Sequence, residues 1–185
     1  MTRTRLLVGL VLAVLLALVF FGYRTYVLQY SNENLAAAYY TPPEIILPAQ
    51  DSTAYYEGMR WLREDGYVEA TEALNRVART DADYPSAQYY AGHAYYRNEQ
   101  LNAAMTALQN ATGIGPSNVR EDAEWLLLLT YLRSGRTERN FFTLLDKVGR
   151  ESGHRYAAQV AALRSDLTSS WRSRWEEAAL GREGY

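Results

Sequence analysis

The sequence predicts an all-α protein: an N-terminal transmembrane helix, then a short α-solenoid of about three helix–turn–helix units, closed by a C-terminal capping helix. Three observations predict it. Residues 6–23 run without a charge. The window 52–77 returns, without a gap, 34 residues later as 86–111. An apolar stripe at helical spacing then closes the chain.

The uncharged run, "LLVGLVLAVLLALVFFGY", has the length of a membrane span: at 1.5 Å per residue it covers roughly 27 Å, close to the hydrocarbon thickness. It ends in bulky residues, Val19-Phe20-Phe21-Gly22-Tyr23, where a signal peptidase requires small ones, and the nearest Ala-x-Ala lies at Ala36-Ala37-Ala38. Residues 1–23 therefore read as an uncleaved anchor, with a cleaved signal as the alternative. Arg3 and Arg5 precede the span and only Arg24 closely follows it. The positive-inside bias puts the N-terminus in the cytoplasm and the body outside, which in a Gram-negative cell is the periplasm.

Residues 24–50 form a juxtamembrane linker. Ser31 is placed to cap a short helix through Leu35 to Tyr40, and Pro42-Pro43 stops it. Three readings fit the linker: a rigid spacer, a packing of Ile45, Ile46 and Leu47 on the first repeat, or an internal ligand lying in the groove of the repeats.

Residues 51–152 hold the repeats, in units 51–84, 85–118 and 121–152. Tyr55, Tyr56, Gly58, Arg63, Ala70 and Leu74 match Tyr89, Tyr90, Gly92, Arg97, Ala104 and Leu108, each offset by 34. Tyr55, Met59 and Leu62 share a helical face. Gly58 with Ala70, and Gly92 with Ala104, are the small repeat-packing residues that let the two helices of a unit cross closely. In the third unit Trp125, Tyr131, Arg133 and Leu144 echo Tyr89, Tyr95, Arg97 and Leu108 at an offset of 36, with Leu128 and Asn140 in place of the packing glycine and alanine. From Tyr156 a stripe of Val160, Leu163, Leu167, Trp171 and Trp175 predicts a helix over 153–180 that covers the open end of the stack. The two tryptophans could instead mark a docking surface. Residues 181–185 form a tail.

A helix–turn–helix period of 34 residues resembles the tetratricopeptide repeat family. Gly92, Tyr95, Ala104, Ala111 and Pro116 stand where its consensus has Gly, Tyr, Ala, Ala and Pro. The first unit departs from it, with Trp61 at the tyrosine position, Val77 at the second alanine and Ala82 where proline is usual. The layout also resembles small membrane-anchored bacterial members of the family. The resemblance implies a binding scaffold whose first helices line a concave groove. The groove residues would be Tyr55, Met59, Leu62 and Arg63; Tyr89, His93, Tyr96 and Arg97; and Trp125, Leu129, Leu132 and Arg133. Stacking would align an aromatic ladder, Tyr55–Tyr89–Trp125, beside an arginine ladder, Arg63–Arg97–Arg133. Such a groove would take a segment of another protein, with a carboxylate held by arginine. The competing reading packs the tyrosines between hairpins and pairs the arginines with local acids such as Glu64.

Composition narrows the function further. Net charge is −2; the first 24 residues hold three arginines and no acid, which leaves 16 basic against 21 acidic residues in the body. That balance does not favour nucleic acid. There is no cysteine, hence no thiolate metal site, thiol nucleophile or lipidated N-terminal cysteine. His93 and His154 are the only histidines and share no motif; no metal-ligand spacing, phosphate loop or catalytic pair is present. No enzyme activity, cofactor, metal or small-molecule substrate is expected. The expected role is an anchored scaffold that tethers or assembles an envelope or protein-export complex. The alternative is a regulatory adaptor that reads a signalling partner.

Overall fold

The computed structural model describes residues 2–49 and 53–183, with side chains described for residues 10, 12–49 and 53–176. Asp51 and Ser52, where the first repeat window opens, and the last two residues of the tail lie outside that range. Among the described residues the fold is all-α, with ten helices packed largely in sequential pairs.

Helix α1 spans Thr2–Leu28. Its described large apolar side chains from Leu10 to Phe21 are 51–68% exposed, so nothing among the described residues covers them. Leu6, Leu7, Val8, Gly9 and Val11 of the uncharged run lie outside the described side chains. Among the described residues no single helix is long and apolar enough to cross a membrane. A bent pair, Leu12–Leu28 with Asn32–Tyr39 at 63°, has the length and composition of a broken span; a signal sequence has the same character.

Helix α2, Asn32–Tyr39, begins as its sequence dictates: Ser31 Oγ accepts from the Asn34 amide at 3.2 Å. Beyond Tyr40 the prolines keep the chain irregular to Ala49. Ile45 and Leu47 pack on the core of the first hairpin, whereas Ile46 between them is 68% exposed, the alternation of an extended strand-like segment.

Three hairpins come next: α3 (Ala54–Arg63) with α4 (Tyr67–Leu74), α5 (Tyr84–Arg97) with α6 (Leu101–Ile114), and α7 (Ser117–Arg133) with α8 (Arg139–Arg150). The first two pairs cross on the same contact. A methyl built on Gly58 would lie 2.5 Å from Leu74 Cγ; one on Gly92 would lie 2.6 Å from Leu108 Cγ. Ala70 and Ala104 are fully buried at the same crossings. The hairpin turns recur as well. Asp65 (φ 57°), Glu99 (φ 60°) and Gly135 (φ 73°) each end a first helix in the left-handed region. The next residue's amide then reaches back five positions to a carbonyl: Gly66 to Trp61 at 2.8 Å, Gln100 to Tyr95 at 2.9 Å and Arg136 to Tyr131 at 2.9 Å. This double-capped turn satisfies the last carbonyls of the helix. In the third hairpin Leu128 occupies the packing position and is fully buried, and α8 seals it with Phe141, Leu145 and Val148 at i, i+4, i+7.

The C-terminal stripe does not form one helix. α9 (Ala157–Leu167) buries Val160 and Leu163 against the core, with Tyr156 and Leu167 packed at its edge. The chain breaks at Thr168-Ser169, where Ser169 Oγ accepts from the Arg172 amide at 3.2 Å and starts α10 (Ser170–Glu183). α10 leaves the stack and packs on α1. Covering of the hairpin end therefore stops at Leu167, and Trp171 and Trp175 serve a different contact.

Candidate functional site: a face of the first helices covered by the linker

The first helices of the hairpins bring the expected groove residues together. Met59, Leu62, Tyr89, His93, Tyr96, Trp125, Leu129 and Leu132 are buried, and Tyr55 is half-buried. They are buried in part because α2 and the residues after it lie on this face, packed on α7 and α9 through Leu35 and Ala36. Of the three linker readings, packing is what the structure displays: the isoleucine–leucine stretch packs on the first hairpin, and the segment before it lies against α5 and α7.

Two consecutive tyrosines fasten the linker. Tyr39 meets Trp125 edge-on, centroids 6.1 Å apart, and its hydroxyl donates to Asp166 Oδ2 at 2.6 Å. Trp125 is stacked from its side on Tyr156 at 5.3 Å and 8°. Tyr40 lies parallel to the His93 ring at 5.9 Å, sits 5.0 Å from Tyr96, and its hydroxyl is hydrogen-bonded to His93 Nε2. The aromatics thus form a sandwich with the linker rather than a bare ladder. Within the stack Tyr55 approaches Tyr90, at 6.4 Å, rather than Tyr89.

Burial sets the electrostatics here. It pushes the Tyr40 phenol up to about 12, with Arg97 beside it pulling the other way, and raises Tyr89 further. The same burial, aided by Arg97, pushes His93 down to about 4, so its imidazole is neutral at physiological pH. His93 Nδ1 is buried without a hydrogen-bond partner among the described residues.

The three arginines have different environments. Arg63 is exposed and in no ion pair among the described residues. Arg97 is exposed, with its guanidinium 5.2 Å from the Tyr67 ring centroid. Arg133 is half-buried, donating to the Tyr96 carbonyl at 3.0 Å and to Glu99 Oε1 at 2.9 Å. Between the linker and the arginines a cleft of about 260 Å³ remains, lined by Glu33, Ala37, Tyr40, Tyr96, Arg97 and Arg133.

A second polar cluster joins α7, α8 and the turn before α9. Glu124 is fully buried and faces Arg120 at 3.3 Å, Lys147 and His154 Nε2 at 3.1 Å. Arg120 also grips Glu151 with both terminal nitrogens, at 2.6 and 3.1 Å, which holds the Glu151 carboxyl below its ordinary range. His154 Nδ1 accepts from the Tyr156 amide at 3.2 Å, so the ring proton sits on Nε2 and donates to Glu124. Glu124, Glu151 and His154 offer ligand atoms within 4.8 Å of one another, a grouping that could hold a metal ion. Two cationic side chains already face those carboxylates, and a divalent cation would meet their repulsion, so the arrangement functions as a clamp between helices. Sequence spacing gave no sign of it, because its members come from three separate elements. The linker lying on the repeats was one of the open sequence readings, and no residue pattern singled out Tyr39 and Tyr40 as its contacts.

No protein-family model, curated protein or solved structure matches this chain.

Proposed function

We propose that the chain is a single-pass, membrane-anchored interaction scaffold of tetratricopeptide type, with its helical domain in the periplasm, tethering or assembling an envelope or protein-export complex. The observation that carries this reading is the repetition of one crossing, Gly58 on Leu74 and Gly92 on Leu108, at the 34-residue period, together with matching left-handed turns at Asp65 and Glu99. Hairpins built on one crossing at a fixed period have matching shapes, and stacking such units side by side gives a curved face suited to a polypeptide. α1 is the element suited to the bilayer: its described apolar side chains are exposed, whereas Leu35 and Ala36 of α2 are buried by protein. The arginines before the span favour a cytoplasmic N-terminus.

The linker itself indicates the kind of segment the face accepts: a short helix, two aromatics with polar tips, then an extended proline-containing stretch. A partner segment of like character would exchange with it. A carboxylate on that segment would meet Arg97 at the remaining cleft, with Arg63 further along. Occupation of the groove by the chain's own linker also supports the second reading, a regulatory adaptor whose face opens on demand.

Two experiments test this. C-terminal fusion to alkaline phosphatase is expected to be active and fusion to a cytoplasmically fluorescent protein dark; the reverse pattern would overturn the periplasmic assignment. A photo-crosslinking residue at Arg63 or Arg97 is expected to capture a discrete partner in cells, and Tyr39→Ala/Tyr40→Ala is expected to increase capture. Equal capture from Val68, on α4, would count against the groove.

A further inference from the structure

The contact between α10 and α1 lies just beyond the exposed apolar surface of α1. Trp171 meets Tyr26 edge-on, centroids 4.8 Å apart, and approaches Tyr23 at 6.3 Å. Arg172, only 5% exposed, locks the junction: it donates to the Tyr30 carbonyl and to Asn32 Oδ1, both at 2.7 Å, and to Glu176 at 2.9 Å. Its guanidinium lies 4.3 Å from the Trp175 ring centroid. Arg174 is exposed, 4.7 Å from the Trp171 ring, and Arg24 is exposed on α1. A buried arginine with three hydrogen-bonded partners makes this a built junction rather than a loose tail.

Depth follows from helix rise. Tyr23 and Tyr26 come two and five residues after Phe21, the last of the exposed apolar run, or about 3 and 8 Å along the axis. The headgroup layer extends roughly 5–8 Å beyond the hydrocarbon on each side. With α1 across the bilayer, Trp171 falls within that layer. Tyrosine and tryptophan favour this depth because their rings are apolar and their tips are polar, and arginine there meets lipid phosphate.

We infer that the start of α10 is a second membrane-contact site, a collar of Tyr23, Tyr26, Trp171 and Trp175 seated among lipid headgroups, with Arg24 and Arg174 directed at the phosphates of anionic phospholipids. The site rests on the reading of α1 as a span. It fixes the attitude of the helical domain relative to the bilayer, which a single flexible tether would not.

The chain has no cysteine, so single-cysteine variants label cleanly. The full-length protein carrying S173C, L15C or V68C is labelled with an environment-sensitive fluorophore and reconstituted in equimolar phosphatidylcholine and phosphatidylglycerol vesicles. Quenching is read with lipids spin-labelled at the headgroup or deep in the acyl chain. L15C is expected to be quenched by the deep probe, S173C by the headgroup probe, and V68C by neither. W171A/W175A is expected to abolish quenching at S173C while L15C is unchanged and circular dichroism shows a folded domain. Deep quenching at L15C with S173C no different from V68C would overturn the collar and leave the span intact. No quenching at L15C would overturn the span, and the collar with it.

Discussion

Replacing Gly92 by alanine isolates the contact on which the crossing of α5 and α6 within one hairpin depends. A Cβ there would lie 2.6 Å from Leu108 Cγ and 2.7 Å from its Cδ2, closer than real Cβ contacts occur. Leu108 is fully buried, so its displacement must be taken up by the surrounding core. Overpacking of this kind costs about 1–3 kcal/mol. Mid-helix Gly→Ala returns up to about 1 kcal/mol through propensity. The expected net effect is a loss of roughly 1–2 kcal/mol. Gly113→Ala is the control, since nothing lies within 4 Å of its Cβ position and it too is helical; it is expected to gain up to about 1 kcal/mol. Leu108→Ala alone should cost about 2–5 kcal/mol. In the double variant the clash disappears, so the pair should be less destabilised than the sum by about 1–3 kcal/mol. Equilibrium urea unfolding of the full chain in detergent, followed by circular dichroism, measures all four. Gly92→Ala as stable as Gly113→Ala, or strict additivity with Leu108→Ala, would refute the crossing as described.

Three further outcomes are expected. His93 has a depressed folded-state pKa, about 4 against an ordinary 6.5, so its contribution is complete above pH 6.5 and is lost as pH falls toward 4. That difference is worth roughly 3 kcal/mol, and His93→Gln should flatten the pH dependence of urea midpoints within this window. Glu124→Gln removes the charge that gathers Arg120, Lys147 and His154, and should cost about 2–3 kcal/mol by the same unfolding assay, less than a sealed pair because Lys147 reaches solvent. Glu99→Gly relieves a left-handed non-glycine residue and should raise stability by about 1 kcal/mol, since its bridge to Arg133 is exposed and contributes little.

What could be read in the sequence was what is local and repeated. The 34-residue offset located the first two hairpins because a glycine lies opposite a leucine at both crossings, and the Ser31 cap is a matter of four adjacent residues. Turn chemistry was less legible: Gly66 invites the left-handed role, yet its φ is −79° and Asp65 adopts that conformation. The break at Thr168-Ser169 was hidden because Trp171 and Trp175 continue the i, i+4 spacing of α9, and the surface they pack on, α1, lies far away in sequence. Glu124 looked like any acidic residue in a charged stretch. Its burial depends on cations supplied by α8 and a histidine supplied by the following turn.

The hairpins are held beside α1 by two ties of unequal slack. Arg172 pins the chain at Tyr30 and Asn32, so the length lying on the hairpins is residues 33–49. Fully extended, that stretch would span roughly 55 Å. The other tie is the two-residue break at Thr168-Ser169, between α9 on the core and α10 on α1, and it has almost nothing to give. A competitor that took the place of Tyr39 and Tyr40 would release the long tie as a loop without moving the hairpins, because the short tie sets their distance from α1.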